Sequence, residues 1–120
     1  MIADEALNLA ARVLLRLCAP LTARDVLTRL GQYLPQRTTR DELVRAAASL
    51  SARGSCLSRS LALAATAPAA DVVIGVRPSP ENGVDAHAWL EMDGQPLRED
   101  DPRGEVIARL PGRCSPLRAA

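Results

Sequence analysis

The sequence has almost no aromatic residues: one Trp, one Tyr and no Phe in 120 residues. It also lacks Lys, so all 15 basic side chains are Arg. Because 48% of the residues are hydrophobic, the chain is too apolar to be disordered, and its core must be built from Leu, Val, Ile and Ala. This length corresponds to one domain, and we expect residues 1–120 to form a single domain.

No segment has the charge or the hydrophobicity that marks a nucleic-acid or membrane protein. The formal net charge is +1, without a basic or an acidic tail, which argues against nucleic acid as a partner. Asp4 and Glu5 stand where a signal peptide would be basic, and no apolar run reaches about 18 residues. We therefore expect a cytoplasmic protein without a membrane partner.

Cysteine is scarce, and its positions fit none of the common metal or disulfide patterns. The three cysteines are Cys18, Cys56 and Cys114. Their number is odd, no Cys-x-x-Cys motif occurs, and no Cys/His cluster has metal-ligand spacing. These features argue against a disulfide framework and a zinc site, and we expect neither a metal nor another cofactor.

The first half of the chain is predicted to be helical, because its apolar residues recur at helical spacing. Three helices are predicted over about residues 4–18, 22–33 and 39–54. Pro20 ends the first of them, and Thr22 is the N-cap of the second. Thr39 and Glu42 form a capping box at the start of the third, and Gly54 is its C-terminal stop.

A fourth helix is predicted to begin at Ser55, and its mostly apolar run indicates a central, buried position. The remainder is predicted as strands at 71–76, at 86–92 and from Gln95 onward, and residues 105–110 form a last strand or a short helix. Residues 77–85 are predicted to be a polar loop, and Asp93-Gly94 a hairpin turn.

Helices followed by strands predict an α+β fold. Residues 1–54 would form a helical N-terminal part. In a core of residues 55–110, the helix that carries Cys56 would pack on a small antiparallel sheet.

Cys56 is the candidate nucleophile, because it lies in the first turn of the predicted fourth helix. The unpaired backbone N–H groups of a helix N-terminus favour the thiolate, which is the reactive form of cysteine. Arg59 lies three residues further on the same side and would add positive potential. Since a free cysteine is usually a small core residue, the position alone does not decide between the two roles.

His87, the only histidine, is the candidate base. It lies in a predicted strand and shares a face with Trp89 and Glu91. A lone histidine is more often structural. However, a thiol nucleophile needs a base, and a cysteine at a helix start followed by a histidine on a strand favours a catalytic pair.

The third member of a triad can be sought by counting across the predicted hairpin. If Asp93-Gly94 is a two-residue turn, Asp100 lies opposite His87 on the same face. A three-residue turn with a bulge would shift the pairing by one residue and place Glu99 there. A solvated acidic loop is a further interpretation of these carboxylates.

Three segments resemble the transglutaminase-like peptidases of lasso-peptide biosynthesis, known as B proteins: CLSRSLAL at 56–63, VVIGV at 72–76 and AHAWLEMDG at 86–94. The resemblance covers about residues 50–105. It implies a transglutaminase/papain-like core and a Cys-His-Asp triad that cleaves the leader peptide from the precursor. By this resemblance, Cys56 is the nucleophile and His87 is the base.

The chain departs from the family pattern at the third triad residue. Glu99 stands where the family usually has its Asp, and Asp100 follows it. Three alternatives follow for the third triad residue: Asp100 takes this role after a one-residue shift, Glu99 replaces the Asp, or the triad is impaired. We favour Asp100, because an Asp-Gly turn favours the two-residue hairpin and Asp is the residue type of the family.

The resemblance also implies partners. Full-length B proteins carry an N-terminal leader-recognition module, and the helices before Cys56 lack its strand pattern. We therefore expect the separate peptidase half, which would act on the leader region of a precursor peptide with a separate leader-recognition protein and beside an ATP-dependent lasso cyclase. The alternatives are a non-catalytic scaffold that binds leader or cyclase, and a thiol acyltransferase that transfers to an amine.

Overall fold

The computed structural model describes residues 2–50, 53–81, 83–97 and 105–112. In these ranges four helices are followed by four strands, which confirms the predicted α+β fold. The helices are α1 (Ile2–Leu17), α2 (Pro20–Gly31), α3 (Arg40–Ser49) and α4 (Cys56–Ala64). The strands are β1 (Ala70–Ser79), β2 (Gly83–Met92), β3 (Gln95–Pro96) and β4 (Glu105–Leu110). All pairings are antiparallel, in the order β3-β2-β1-β4.

The boundaries of the first three helices differ in part from the predicted ones. Pro20 follows α1 and is also the first residue of α2. An N–H at this position would have no partner within the helix, so proline is tolerated there. Helix α2 therefore begins before Thr22, with Ala19 as an N-cap that makes no side-chain hydrogen bond. Helix α3 ends at Ser49 and not at Gly54. Gly54 has a φ of +80° and lies two residues before the start of α4.

The capping box that the sequence predicts for α3 is confirmed. The Thr39 hydroxyl accepts a hydrogen bond from the backbone N–H of Glu42, and the Glu42 carboxylate accepts one from the N–H of Thr39, each at 3.2 Å. The Thr39 hydroxyl also donates to the Glu42 carboxylate at 3.0 Å, and this hydrogen bond is the main cause that lowers the pKa of Glu42 from its usual value of 4.5. The box fixes the start of α3.

Helix α4 lies at the centre of the core, as predicted. Leu61, Ala62, Leu63 and Ala64 are all buried, and α4 packs between α1 and the sheet. The surrounding core contains no Phe and is built from small aliphatic side chains, among them Leu7, Ala11, Leu27, Leu43, Val72, Leu90 and Leu110. Because α4 is enclosed on several sides, its N-terminal turn has a fixed position against β2.

A buried ion pair connects the two ends of the helical part. Both oxygens of Asp4 accept hydrogen bonds from Arg37, each at 2.8 Å. Arg37 also donates to the Thr66 hydroxyl at 2.9 Å, and its backbone N–H donates to the Thr66 carbonyl at 2.7 Å. The first turn of α1 is thereby connected to the segment before α3 and to the residues that follow α4.

The first hairpin is longer than the sequence predicts. β1 and β2 stay paired from Ala70↔Met92 to Ser79↔Gly83, so most of the predicted loop 77–85 is strand. The reason is that the outer half of the hairpin is solvent-exposed, where polar residues and a proline are tolerated in strands. Residues 105–110, left open between strand and helix, form β4.

The second hairpin has the predicted two-residue turn. Asp93 has φ +55° and Gly94 has φ +76°, and two positive φ angles are what a type I′ turn requires. Met92 pairs with Gln95, and the N–H of Leu97 donates to the carbonyl of Leu90 at 2.8 Å. No helix in the described part of the chain is long and apolar enough to cross a membrane.

Candidate active site

The N-terminus of α4 is fixed by a second capping box. The Ser55 hydroxyl accepts a hydrogen bond from the N–H of Ser58 at 3.1 Å, and the Ser58 hydroxyl accepts one from the N–H of Ser55 at 3.0 Å. A side chain at Gly54 would collide with Ser58 Oγ and with Arg12, so the approach to the helix needs glycine. Cys56 is therefore held at the first position of the helix.

The sulfur of Cys56 lies against the outer edge of β2. Its Sγ accepts a hydrogen bond from the backbone N–H of Ala88 at 3.2 Å. Among the described residues, β3 pairs with β2 only at Glu91 and Met92. A fixed backbone donor of this kind stabilises negative charge on a sulfur or on a reacting oxygen beside it.

His87 precedes Ala88 in β2, so the side chains of these two residues lie on opposite faces of the sheet. Its ring stacks on Trp89, with the ring centroids 5.9 Å apart and the planes inclined by 21°. Trp89 Nε1 donates to Glu91 at 2.9 Å, and Glu91 accepts from Arg109 of β4 at 2.7 Å. His87, Trp89 and Glu91 therefore share one face of β2, as predicted. Arg109 and Trp89 together hold the Glu91 carboxylate in place.

Gly75 of β1 makes room for this stack. It pairs with His87 across the β1–β2 ladder, and a Cβ at its position would lie 2.7 Å from the ring of Trp89. The indole therefore crosses β1 where a side chain is absent. The position of the His87 ring depends on this crossing.

Cys56 and His87 line one cavity of about 270 Å³. The other residues of its wall are Ala47, Leu50, Arg59, Ser60, Leu63, Ala88, Trp89, Leu90 and Leu97. The volume is just below the range of about 300–1,000 Å³ that is usual for drug-sized ligands, so the cavity fits one or two side chains of a larger substrate. A thiol, an imidazole and a backbone donor at a cavity of this size suit acyl transfer.

The predicted third residue is not placed by the structure. Glu99 and Asp100 lie outside the described residues, as do Asp101 and Cys114. The two-residue turn on which the assignment of Asp100 depends is present, and the pairing is observed as far as Leu97. Asp100 and Glu99 therefore stay predictions.

Cys18, the other described cysteine, lies away from this cavity. Its thiol donates to the carbonyl of Leu14 at 3.1 Å, and its side chain packs against the core. Within the described ranges no three His, Cys, Asp or Glu side chains are grouped as metal ligands.

One residue near the site had no signal in the sequence. Arg40, the first residue of α3, donates to the carbonyls of Pro96 at 2.6 Å, Met92 at 3.2 Å and Gln95 at 3.4 Å. It thereby fixes the second hairpin on α3. The contact joins residues that are more than fifty positions apart, and no local pattern reveals it.

Comparison with known proteins identifies the family. The family model described as "Transglutaminase-like superfamily" matches residues 5–109, which include all of α2, α3 and α4 and the first three strands. Comparison with curated proteins and with solved structures found no match. The superfamily includes cysteine-dependent enzymes, and its fold commonly carries cysteine peptidase or acyltransferase activity. This chain, with Cys56 in its central helix and His87 on the adjoining strand, belongs to the transglutaminase-like superfamily.

Proposed function

We propose that this chain is a cysteine peptidase that removes the leader peptide from a lasso peptide precursor. The observation that carries the proposal is that Cys56 Sγ, at the first position of α4, shares a cavity with His87 and faces the N–H of Ala88. The resemblance of 56–63, 72–76 and 86–94 to the B proteins supplies the substrate class.

The first half of the reaction is acylation. His87 takes the thiol proton, Cys56 Sγ attacks the scissile carbonyl carbon, and the carbonyl oxygen becomes an oxyanion. The N–H of Ala88 and the N–H of Cys56, which has no partner within the helix at the first position of α4, are the donors for that oxyanion. His87 then gives its proton to the departing amine, and the C–N bond breaks.

The second half is hydrolysis of the thioester that joins the leader to Cys56. Water loses a proton to His87 and attacks the thioester carbonyl. The C–S bond breaks, and the sulfur leaves as the proton returns to it. A carboxylate that holds the second ring nitrogen of His87 keeps the base in the correct tautomer, and Asp100 is the candidate, with Glu99 as its competitor.

The test reconstitutes the reaction. The chain is mixed with a precursor peptide, a separate leader-recognition protein and a lasso cyclase, and the products are measured by mass spectrometry. We expect a free leader and a core peptide. We also expect the rate to fall when the leader-recognition protein is left out, because the resemblance to the B proteins implies that a separate protein presents the leader.

An intact precursor after prolonged incubation would refute the peptidase and favour the scaffold, in which the chain only binds leader or cyclase. The departure at Glu99 is the observation that favours this second candidate. The acyltransferase gives another outcome: in ¹⁸O-labelled water a peptidase puts ¹⁸O into the leader carboxylate, whereas a transferase joins the leader to an added amine.

A further inference from the structure

The wall of the cavity carries one charged side chain among the described residues, that of Arg59. Arg59 lies one helical turn after Cys56 on α4 and is half-buried. The described lining contains no carboxylate, and six aliphatic residues line the cavity: Ala47, Leu50, Leu63, Ala88, Leu90 and Leu97. The cavity therefore combines aliphatic walls with the polar side chains of Ser60 and His87, and Arg59 is the one cation among its described lining residues.

The guanidinium of Arg59 makes no hydrogen bond or ion pair with the described residues. Three other arginines that are wholly or partly buried bind oxygens of the protein, whereas Arg12 has a buried Nε without a partner among the described residues. Arg24 donates to the Ala70 carbonyl at 3.0 Å, Arg37 to Asp4, and Arg40 to three carbonyls. A half-buried cation that has no acceptor among the described residues, and that lines the same cavity as Cys56, leaves its donors available to a ligand.

We propose that Arg59 binds a carboxylate of the substrate next to the scissile bond, so that the cavity selects peptides that are acidic at one position. The inference rests on the proposed function in that Cys56 is taken as the point of reaction. A guanidinium binds a carboxylate with charge-assisted hydrogen bonds, and these strengthen where apolar walls exclude water. The aliphatic wall contacts the methylene groups that carry the carboxylate.

The carboxylate has two sources, an acidic side chain or the C-terminus of a peptide. Arg59 also has a competing role, in which it supplies positive potential to Cys56 without contacting the substrate. The two roles predict different responses to the charge of a reagent that attacks Cys56. Stabilisation of the thiolate speeds an acid and its neutral amide alike, whereas binding of a carboxylate speeds the acid alone.

The first experiment alkylates Cys56 in the full chain with iodoacetate and with iodoacetamide, which differ in charge and hardly in size. Alkylation rates at Cys56 are measured by peptide mapping for the wild type, Arg59→Gln, Arg59→Lys and Arg29→Gln. Arg29 is an exposed residue of α2, so its variant matches the change in net charge away from the cavity. Circular dichroism checks that each variant is folded.

We expect the iodoacetate-to-iodoacetamide rate ratio to fall about tenfold in Arg59→Gln, the effect of losing one charge-assisted hydrogen bond. Arg59→Lys should retain most of the ratio, and Arg29→Gln should leave it unchanged. An unchanged ratio in Arg59→Gln, or an equal loss with both reagents, would overturn the carboxylate site.

The second experiment uses precursor peptides in the reconstituted reaction. Glu and Gln are exchanged at each position beside the scissile bond, and short peptides are offered with a free or an amidated C-terminus. A preference for Glu at one position that Arg59→Gln abolishes identifies a side-chain carboxylate, and a preference for the free terminus identifies the other source. If no peptide is cleaved while the alkylation ratio falls, the peptidase proposal fails and the carboxylate site stands. If peptides are cleaved without any acid preference and Arg59→Gln leaves the alkylation ratio unchanged, the carboxylate site fails and the peptidase proposal stands.

Discussion

At the scale of single residues, the two described cysteines differ in what their sulfurs contact. Cys56 Sγ accepts the N–H of Ala88 inside the cavity, and Cys18 Sγ donates to the carbonyl of Leu14 one turn earlier in the chain. Only the first sulfur faces a histidine-lined cavity. Chemistry at a thiol should therefore depend on Cys56 and not on Cys18.

The first prediction is that Cys56→Ala lowers leader cleavage by ~10⁴-fold or more, because it removes the nucleophile. Cys18→Ala should keep most of the activity, since the Cys18 thiol donates only to the nearby carbonyl of Leu14. Initial rates from mass spectrometry measure both. An iodoacetamide map in which Cys18 or Cys114 reacts faster than Cys56 would contradict this prediction.

A second prediction concerns the carboxylate that orients His87. If the register that is observed as far as Leu97 holds for the residues after it, Asp100 and not Glu99 would lie opposite His87. Asp100→Ala should lower cleavage by up to ~10⁴-fold with the fold intact, by analogy with serine proteases, whereas Glu99→Ala should have a mild effect.

The two variants make opposite forecasts, because neighbouring strand residues point to opposite faces. The reverse ranking of their rates would mean that a bulge follows Leu97 and that Glu99 is the partner. Two active variants would mean that neither carboxylate orients His87. A nitrogen-15 spectrum of the His87 ring, in which the tautomer changes only for the effective variant, separates orientation from general damage.

At the scale of elements, the second hairpin is attached to α3 through Arg40. Its guanidinium binds carbonyls on both sides of the turn, those of Met92 and Pro96. Because Leu97 of the cavity wall directly follows β3, this attachment also helps to fix that wall. Helix α3 therefore contributes to the site without supplying a reactive group.

We predict that Arg40→Ala lowers both stability and cleavage. The loss of charge-assisted hydrogen bonds should cost about 1–2 kcal/mol in the free energy of unfolding, measured with urea. The higher helix propensity of Ala would offset only a small part of this loss, since Arg is itself a good helix former. Arg45→Ala, on the exposed face of the same helix, is the control and should change neither property. Full cleavage activity in Arg40→Ala would show that the hairpin keeps its position without this contact.

At the scale of the whole molecule, the Asp4–Arg37 pair connects segments that are distant in the chain. The Asp4 side chain is 3% exposed and that of Arg37 is 18% exposed. Removing one partner of such a pair leaves a charge in a poorly solvated place, which is costlier than removing both.

We predict that Asp4→Leu destabilises the fold by about 3 kcal/mol, near the lower end for buried pairs because Arg37 keeps some contact with water. The double variant Asp4→Leu with Arg37→Leu should lose less than the sum of the two single variants. Urea unfolding of the four proteins gives the coupling free energy. Additive losses would show that the two charges act independently.

A large part of the fold could be predicted from short-range sequence patterns. The Thr39–Glu42 capping box, the start of α4 after Ser55 and the Asp93-Gly94 turn were all predicted, because each depends on residues within a few positions of one another. Alternation along β2 likewise put His87 on the face of Trp89. The signals failed where two local rules compete, as at Pro20, which is both a helix stop and a favourable first residue.

The sequence by itself determined that a helix begins with Cys56 and that a strand carries His87, and it favoured a two-residue turn after that strand. Only the tertiary structure decided that Cys56 Sγ meets the N–H of Ala88, that Arg40 holds the second hairpin and that Arg59 stands without a described protein acceptor in the cavity wall. The physical reason is distance along the chain. These contacts form only when the burial of α4 against the sheet brings together residues at least 32 positions apart, and burial is a property of the whole core.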